Sequence, residues 1–264
     1  METIEHVRKL YAALVSMCDH SLGRVLSFMD EQDMWNDTML IVTTDHGFHL
    51  GEHGWWNFVN PPMYDVTAHK PLFIWDPRCR RRGERCPELV QFIDVPATLL
   101  EAFELKRPPD MQGRPLADTI ARDTAVREAA LMGVFGREIN CTDGRYVYMR
   151  APATAENRPL HNYTVMPTHM REPFSPAELR TAELSGPFSF SKGCPLMRVA
   201  AEPFFGEPGS RENMLFDLQQ DPGQQAPIND PVVEQRMADL MVTLMKQNDA
   251  PPEQFERMGL PNTP

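Results

Sequence analysis

Paired cysteines, a signal segment and long apolar runs are all missing from this sequence. The five cysteines are odd in number and form no C-x-x-C pair, which argues against a disulfide framework or a zinc ribbon and favours free thiols. The first residues lead directly into a helical pattern, without a basic-then-apolar signal region. No apolar run is long enough to cross a bilayer, so we expect no membrane span, and localisation stays open.

Basic residues are few compared with acidic ones. The 26 lysines and arginines against 37 acidic residues give a formal net charge of −11. Phosphate backbones would be repelled by such a chain, so we expect no nucleic-acid partner. The 264 residues, 42% of them hydrophobic, suit one large domain or one domain with a smaller one.

Ligand-type side chains are concentrated in one short stretch. Residues 39–42 form an apolar run that predicts a buried strand. Three histidines, two carboxylates and three glycines follow within residues 45–54. A strand that runs into a glycine-rich turn with polar side chains is typical of a functional site at the carboxyl end of a sheet.

Asp45 and His46 stand side by side at the end of this predicted strand. A carboxylate and an imidazole in one place suit hard or borderline divalent cations. We therefore predict that Asp45 and His46 are metal ligands. The alternative is that Asp45 caps the following turn and that His46 is a buried imidazole with satisfied hydrogen bonds.

The segment from His49 to His53 also matches H-x-x-E-H, the inverted zinc-peptidase pattern. That pattern binds zinc when a helix brings two histidines four residues apart onto one face. Glycines interrupt the segment and each costs helix stability, which weighs against a peptidase. Otherwise His49 and His53 are polar loop residues that pack near Trp55 and Trp56. The two tryptophans either line a substrate pocket or are packing anchors.

The first half of the chain alternates helix and strand patterns. Residues 4–33 and 91–105 predict helices, residues 38–44 predict a strand that is buried on both faces, and residues 70–75 predict a second buried strand. This order predicts an α/β fold, with part of a mixed central sheet flanked by helices. The five arginines within residues 78–86 suggest an anion site or, as we expect, a solvated surface loop.

The second half predicts a smaller antiparallel subdomain. Residues 129–135 and 213–218 are strand candidates, and two further strands flank Thr142-Asp143-Gly144, a strong hairpin signal. Residues 151–210 show no clear period and predict an extended connection. Residues 232–247 predict a helix, followed by a proline-rich tail that should fray. We therefore predict domains at residues 1–122 and 123–264.

Several motifs, taken in order, give the chain a resemblance to the sulfatase family of the alkaline phosphatase superfamily. The resemblance covers most of the chain and is specific only as a set. The motifs are the helix around Tyr11-Ala12-Ala13-Leu14-Val15, Thr44-Asp45-His46-Gly47, Leu50-Gly51-Glu52-His53-Gly54, Pro71-Leu72-Phe73-Ile74, Ile93-Asp94-Val95-Pro96, Gly113-Arg114-Pro115-Leu116, Thr142-Asp143-Gly144-Arg145 and Leu215-Phe216-Asp217-Leu218.

The resemblance implies a metal-dependent hydrolase of sulfate esters, or of related phosphoesters and phosphonates, in small molecules or glycans. It implies one divalent cation, usually calcium and in some relatives manganese, with Asp45 and His46 as two of its ligands. The family's nucleophile is a formylglycine made from Cys or Ser in C/S-x-P-x-R. That motif lies before the long helix in the family, so the resemblance is to the C-terminal half.

The chain departs from the family pattern in two places. No cysteine fits the nucleophile motif, because the sequence after Cys141 lacks the proline and the proline after Cys194 comes one place early. Phe58 stands near the place where relatives commonly carry an anion-binding lysine.

Two hypotheses follow from these departures. In one, the chain is part of a sulfatase, inactive alone, and needs a missing N-terminal half. In the other, it is a non-catalytic remnant or an anion- or metal-binding module of the same fold. Because a half-sheet exposes apolar surface, we expect the isolated chain to self-associate or to be poorly soluble.

Overall fold

The computed structural model describes residues 2–169, 171–203 and 212–262. The chain forms two compact units, each made of two segments. Unit 1 is Met1–Glu88 with Leu116–Ala125, and unit 2 is Leu89–Pro115 with Val126–Pro264. The predicted boundary after residue 122 falls inside the second segment of unit 1, and the domain assignment itself stays a prediction.

The predicted helices and strands are present in the predicted order, and further short helices and strands lie between them. The helices are α1 (Glu2–Glu31), α2 (Asp65–Ala68), α3 (Asp94–Ala102), α4 (Ala117–Arg122), α5 (Pro176–Leu179), α6 (Pro231–Gln247) and α7 (Pro252–Arg257). The strands are β1 (Leu40–Thr43), β2 (His49–Leu50), β3 (Trp56–Asn57), β4 (Leu72–Trp75), β5 (Ala130–Gly133), β6 (Ile139–Thr142), β7 (Tyr146–Arg150), β8 (His161–Thr164), β9 (Glu183–Ser185), β10 (Leu196–Ala200) and β11 (Met214–Asp217). Within the described ranges, no helix has the length and apolar character to cross a membrane.

Unit 1 contains the strand that leads to the candidate site. β1 pairs with β4 in antiparallel register, from Leu40 opposite Trp75 to Thr43 opposite Leu72. β2 and β3 form a separate antiparallel pair. The predicted α/β class is confirmed. The predicted burial of β1 on both faces is wrong, because its residues are half-buried and Thr43 is exposed. The predicted burial of β4 is wrong as well, because its residues are half-buried and Phe73 is exposed.

Unit 2 contains the main hydrophobic core. Its larger sheet has the antiparallel order β11-β7-β6-β5, and the predicted hairpin is the β6–β7 pair. α6 packs against this sheet, since its buried residues Met237, Met241 and Met245 share a cluster with Tyr148 and Leu215. Asp230 caps α6 by accepting hydrogen bonds from the backbone of its first turn.

Two predictions for unit 2 are wrong. Residues 151–210 are not merely an extended connection, because β8, β10 and β9 form a sheet in that order; residues 170 and 204–210 lie outside the described part. The tail does not fray over α7, since Phe255, Met258 and Leu260 are buried in the core. The strands β8, β9 and β10 are short and separated by prolines and glycines, so the sequence has no regular period that would predict them.

Candidate metal centre

The candidate site begins where β1 ends. The side chain of Asp45 is 82% exposed. Its Oδ1 accepts hydrogen bonds from the backbone N–H of His46 at 2.9 Å and from the Thr44 hydroxyl at 3.2 Å. The N–H of His46 is the main cause that lowers the pKa of Asp45, so this carboxylate is ionised at neutral pH. Both of these donors bind Oδ1, whereas Oδ2 lies 3.6 Å from Nε2 of His46.

His46 is held by two contacts that fix its ring. Nδ1 lies 2.9 Å from the carbonyl oxygen of Gly47, so Nδ1–H donates a hydrogen bond there and, in the neutral ring, Nε2 carries the lone pair. The ring stacks on Phe58 with 3.7 Å between centroids and 22° between planes. In this orientation Nε2 is 3.6 Å from Oδ2 of Asp45. The two donor atoms are therefore close enough to be neighbouring ligands of one ion.

Gly47 determines how the chain leaves the pair. Its N–H donates to the carbonyl of Thr67 at 3.0 Å. A Cβ at position 47 would lie 1.8 Å from the backbone oxygen of Val66. Since the clash would be with backbone atoms of Val66, which cannot rotate away, only glycine allows the chain after His46 to approach this closely.

The Asp45–His46 pair fits one cation but supplies only part of its coordination. A carboxylate oxygen and a neutral imidazole nitrogen at this separation are compatible with adjacent positions around a divalent ion. Calcium takes six to eight oxygen ligands and manganese prefers about six, so two donors are not a complete site. Among the described residues, no group of three or more His, Cys, Asp or Glu side chains is arranged to hold a metal.

The H-x-x-E-H segment does not form the helical zinc site of a peptidase. His49 lies in β2, and Glu52–Gly54 is a short 3-10 turn in which His53 has a positive φ of 54°. Glu52 instead accepts a hydrogen bond from the N–H of Leu50. The His49 and His53 rings meet edge to face, and His53 stacks flat on Tyr64 at 3.8 Å. The peptidase hypothesis is therefore wrong for this segment.

His49 is completely buried, and neither ring nitrogen has a hydrogen-bond partner within the described part of the chain. Burial lowers its pKa below the ordinary value, and the nearby Glu52 opposes this only in part. A histidine whose folded-state pKa is depressed favours folding above the unfolded pKa of about 6.5 and loses stability as the pH falls below it. Charging this ring on acidification opposes folding.

Between pH 7 and pH 5, the free energy of unfolding of unit 1 should fall less in His49→Phe than in the wild type, by ~1 kcal/mol, because the variant has no buried imidazole to charge. Urea unfolding followed by tryptophan fluorescence measures this, because all four tryptophans lie in unit 1. His20→Phe on the exposed surface of α1 is the matched control and should retain the wild-type pH profile. Parallel pH profiles for the wild type and His49→Phe would contradict the assignment.

The other sequence candidates have structural roles. Arg78 pairs with Asp76 at 2.6 Å, and Arg81 pairs with Asp123 at 2.8 Å, as expected for a surface loop rather than an anion site. Cys141 is completely buried, and burial raises its pKa to about 12, so its thiol is inert.

In the sequence, Phe58 is only the residue near the expected lysine. Its contact with His46 cannot be predicted from the sequence, because it depends on the path of the loop between them. The stack supplies an apolar support to the imidazole where a lysine would bring a positive charge.

Comparison with known proteins connects this geometry to one family. Residues 2–105 match the family model described as Sulfatase. The N-acetylglucosamine-6-O-sulfatase of Bacteroides thetaiotaomicron is 30% identical over 113 residues, 43% of this chain and 20% of that protein. The iduronate 2-sulfatase of Homo sapiens is 42% identical over 89 residues, 33% of this chain and 16% of that protein.

The fold likeness extends further along the chain than the sequence likeness. A solved structure in complex with its substrate D-glucosamine-2-N,6-O-disulfate aligns with a TM-score of 0.56 and 17% identity, over 89% of this chain and 39% of its own. The matched segments span about a fifth of the length of the curated relatives. The resemblance to the sulfatases is confirmed, and we call the residues that match the family model, 2–105, the sulfatase-family region.

Proposed function

We propose that this chain contributes Asp45 and His46 to the divalent-metal site of a sulfatase-like hydrolase that acts on sulfate esters of glycans or on related phosphoesters. The observation that carries the proposal is the 3.6 Å separation of Asp45 Oδ2 and His46 Nε2, at the end of a strand within the sulfatase-family region. The substrate class follows relatives whose names specify sulfated sugars.

Each residue of the pair has a distinct task. Asp45 supplies an ionised oxygen, because the N–H of His46 holds its pKa low. His46 supplies Nε2, because its Nδ1–H is engaged as the donor of a hydrogen bond to the carbonyl of Gly47. The bound ion, calcium or manganese, would supply charge stabilisation for an ester oxygen. The remaining ligands and the nucleophile come from outside this pair, so we expect no turnover from the chain alone.

Metal binding by the isolated chain tests the proposal. Titration calorimetry with MnCl2 and with CaCl2 should reveal one site per chain. Asp45→Asn and His46→Gln should each weaken it by at least about tenfold, since even outer partners of metal ligands are worth ~10–100-fold in affinity. The matched controls are Asp37→Asn and His20→Gln, both on exposed side chains of unit 1. Equal weakening by all four variants, or by none, would contradict the site.

A non-catalytic metal- or anion-binding module of the same fold is the second candidate. It is favoured by one observation, the Phe58 ring that stacks on His46 where the family resemblance leads one to expect a lysine. Phe58→Lys separates the two candidates in a complex with the complementary part of a sulfatase. Activity with Phe58 intact supports the hydrolase, whereas metal binding without turnover by either form supports the module.

A further inference from the structure

Unit 2 contains a cleft that the proposed function does not use. Its volume is about 660 Å³, within the range of ~300–1,000 Å³ that is typical of sites for small molecules. Ala177, Ala200 and Ala201 lie along its wall, and their small side chains leave room for a ligand. Phe135 and Leu160 add larger apolar surface. The cleft therefore has the size and the wall that a ligand with an apolar body requires.

Two histidines line the cleft, and each is held by a carboxylate. Nδ1 of His161 lies 3.2 Å from Oε1 of Glu253, and Nε2 of His169 lies 2.7 Å from Oε1 of Glu178. In a neutral ring, the nitrogen beside the carboxylate carries the proton and the other nitrogen is an acceptor. Within the described part of the chain, neither of these other nitrogens has a hydrogen-bond partner. The two histidines therefore suit a ligand that donates hydrogen bonds.

The charges around the cleft favour a cation. Arg158 is the one lysine or arginine among the described lining residues, and it already donates to Glu202 and to the carbonyl of Ala201. Glu178 and Glu253 contact histidines instead, and neither forms an ion pair with a lysine or arginine in the described ranges. With the histidines neutral, the cleft has an excess of negative charge, which attracts a positive ligand.

We propose that this cleft binds a small organic cation, a primary ammonium group on an apolar body. The ammonium group would donate to the acceptor nitrogens of His161 and His169, and the carboxylates of Glu253 and Glu178 would balance its charge. The apolar body would lie against the wall to which Phe135 contributes. A sulfate group has the opposite charge and no such donors. This site is therefore separate in chemistry from the proposed hydrolase and from the Asp45–His46 pair.

Three probes that share one phenyl body and differ in their charge test the proposal. Each is titrated into the full chain near neutral pH and followed by calorimetry. We expect 2-phenylethylamine, which is charged there, to bind at one site per chain. The neutral 2-phenylethanol should bind at least about tenfold more weakly, and the anionic 2-phenylethyl sulfate should not bind. Because all three probes meet the same wild-type chain, the comparison does not depend on the folding of any variant.

A variant of Glu253 tests the charge directly. Glu253→Gln removes the negative charge but keeps Oε1, the atom that accepts hydrogen bonds from His161 and Tyr163. It should weaken binding of the amine at least about threefold and leave binding of the alcohol unchanged, because only the amine is charged. Glu256→Gln, at an exposed position of the same helix, is the matched control and should change neither affinity.

Several results would overturn the proposal. If the amine does not bind, or binds no better than the alcohol, the cleft is not a cation site. If the sulfate binds more tightly than the amine, the cleft takes anions. If Glu253→Gln weakens the amine no more than Glu256→Gln does, or weakens the alcohol equally, the carboxylate does not recognise the ligand's charge.

Discussion

Replacing Asp94 by alanine is expected to lower the free energy of unfolding of unit 2 by about 3–5 kcal/mol, because it leaves a buried guanidinium without its partner. The Asp94 side chain is fully buried and forms a two-pronged ion pair with Arg127. It also accepts hydrogen bonds from the backbone N–H groups of Gln91 at 2.7 Å and Arg114 at 2.9 Å. Burial would raise the pKa of Asp94, but Arg127 and these donors together hold it below its ordinary value.

Hydrogen exchange resolved by peptide measures this effect in unit 2 separately from unit 1. Glu202→Ala is the matched control, since Glu202 pairs with Arg158 on the surface of unit 2, where such pairs contribute about 0–1 kcal/mol. Adding Arg127→Met to Asp94→Ala should recover part of the loss by removing the unpaired charge. A loss for Asp94→Ala no greater than that for Glu202→Ala would show that the buried pair does not stabilise unit 2.

The second large effect is expected at Gly47. Gly47→Ala places a methyl group 1.8 Å from the Val66 backbone oxygen, so the segments must separate. We expect a loss of about 3 kcal/mol in unit 1, at the upper end of overpacking, because backbone cannot yield as a flexible side chain does. We expect the variant also to lose the hydrogen bond from Gly47 to Thr67, the orientation of His46 and metal binding.

The opposite sign is expected for Gly23→Ala in α1. No atom lies within 4 Å of a Cβ at that position, so the change removes only the backbone freedom of glycine and should stabilise the helix by ~1 kcal/mol. Urea unfolding followed by tryptophan fluorescence compares both variants in unit 1. Surface substitutions usually change the free energy of unfolding by no more than ~0.5 kcal/mol. A Gly47→Ala variant whose free energy of unfolding stays within that range of the wild type would contradict the close approach.

The sequence predicts those features of the structure that depend on residues close together in the chain. The 3.6-residue period of α1 and α6 and the Asp-Gly turn between β6 and β7 depend on neighbours in the chain, and the structure has all of them. The adjacency of Asp45 and His46 is local too. What orients them is not, because the Gly47–Val66 approach and the His46–Phe58 stack join segments brought together by the fold.

Several motifs that carry the family resemblance join distant segments of the fold by ion pairs or hydrogen bonds instead of supplying groups to the candidate metal centre. Arg145, from the Thr-Asp-Gly-Arg motif, pairs with Asp217 from the motif on β11, with 2.7 Å between Nη2 and Oδ2. Asp94 and Arg114, from two other motifs, meet through a backbone hydrogen bond. Such pairs are 20 or 72 residues apart, so no period or turn signal reveals them. The motifs indicated the family resemblance correctly, but the contacts that their residues make in the fold could not be predicted from the sequence.

The interleaving of the two units restricts how this chain can be divided. Each unit includes a segment from the other's side of the sequence, since 89–115 belongs to unit 2 and 116–125 to unit 1. A single cut within this interval cannot release both units whole. A fragment of residues 123–264 would keep Arg127 and lose Asp94, so it would carry a buried cation with its counter-charge left on the other piece. Recombination between relatives should therefore preserve residues 89–127 as one inherited block, and shuffled genes joined inside it should give insoluble products.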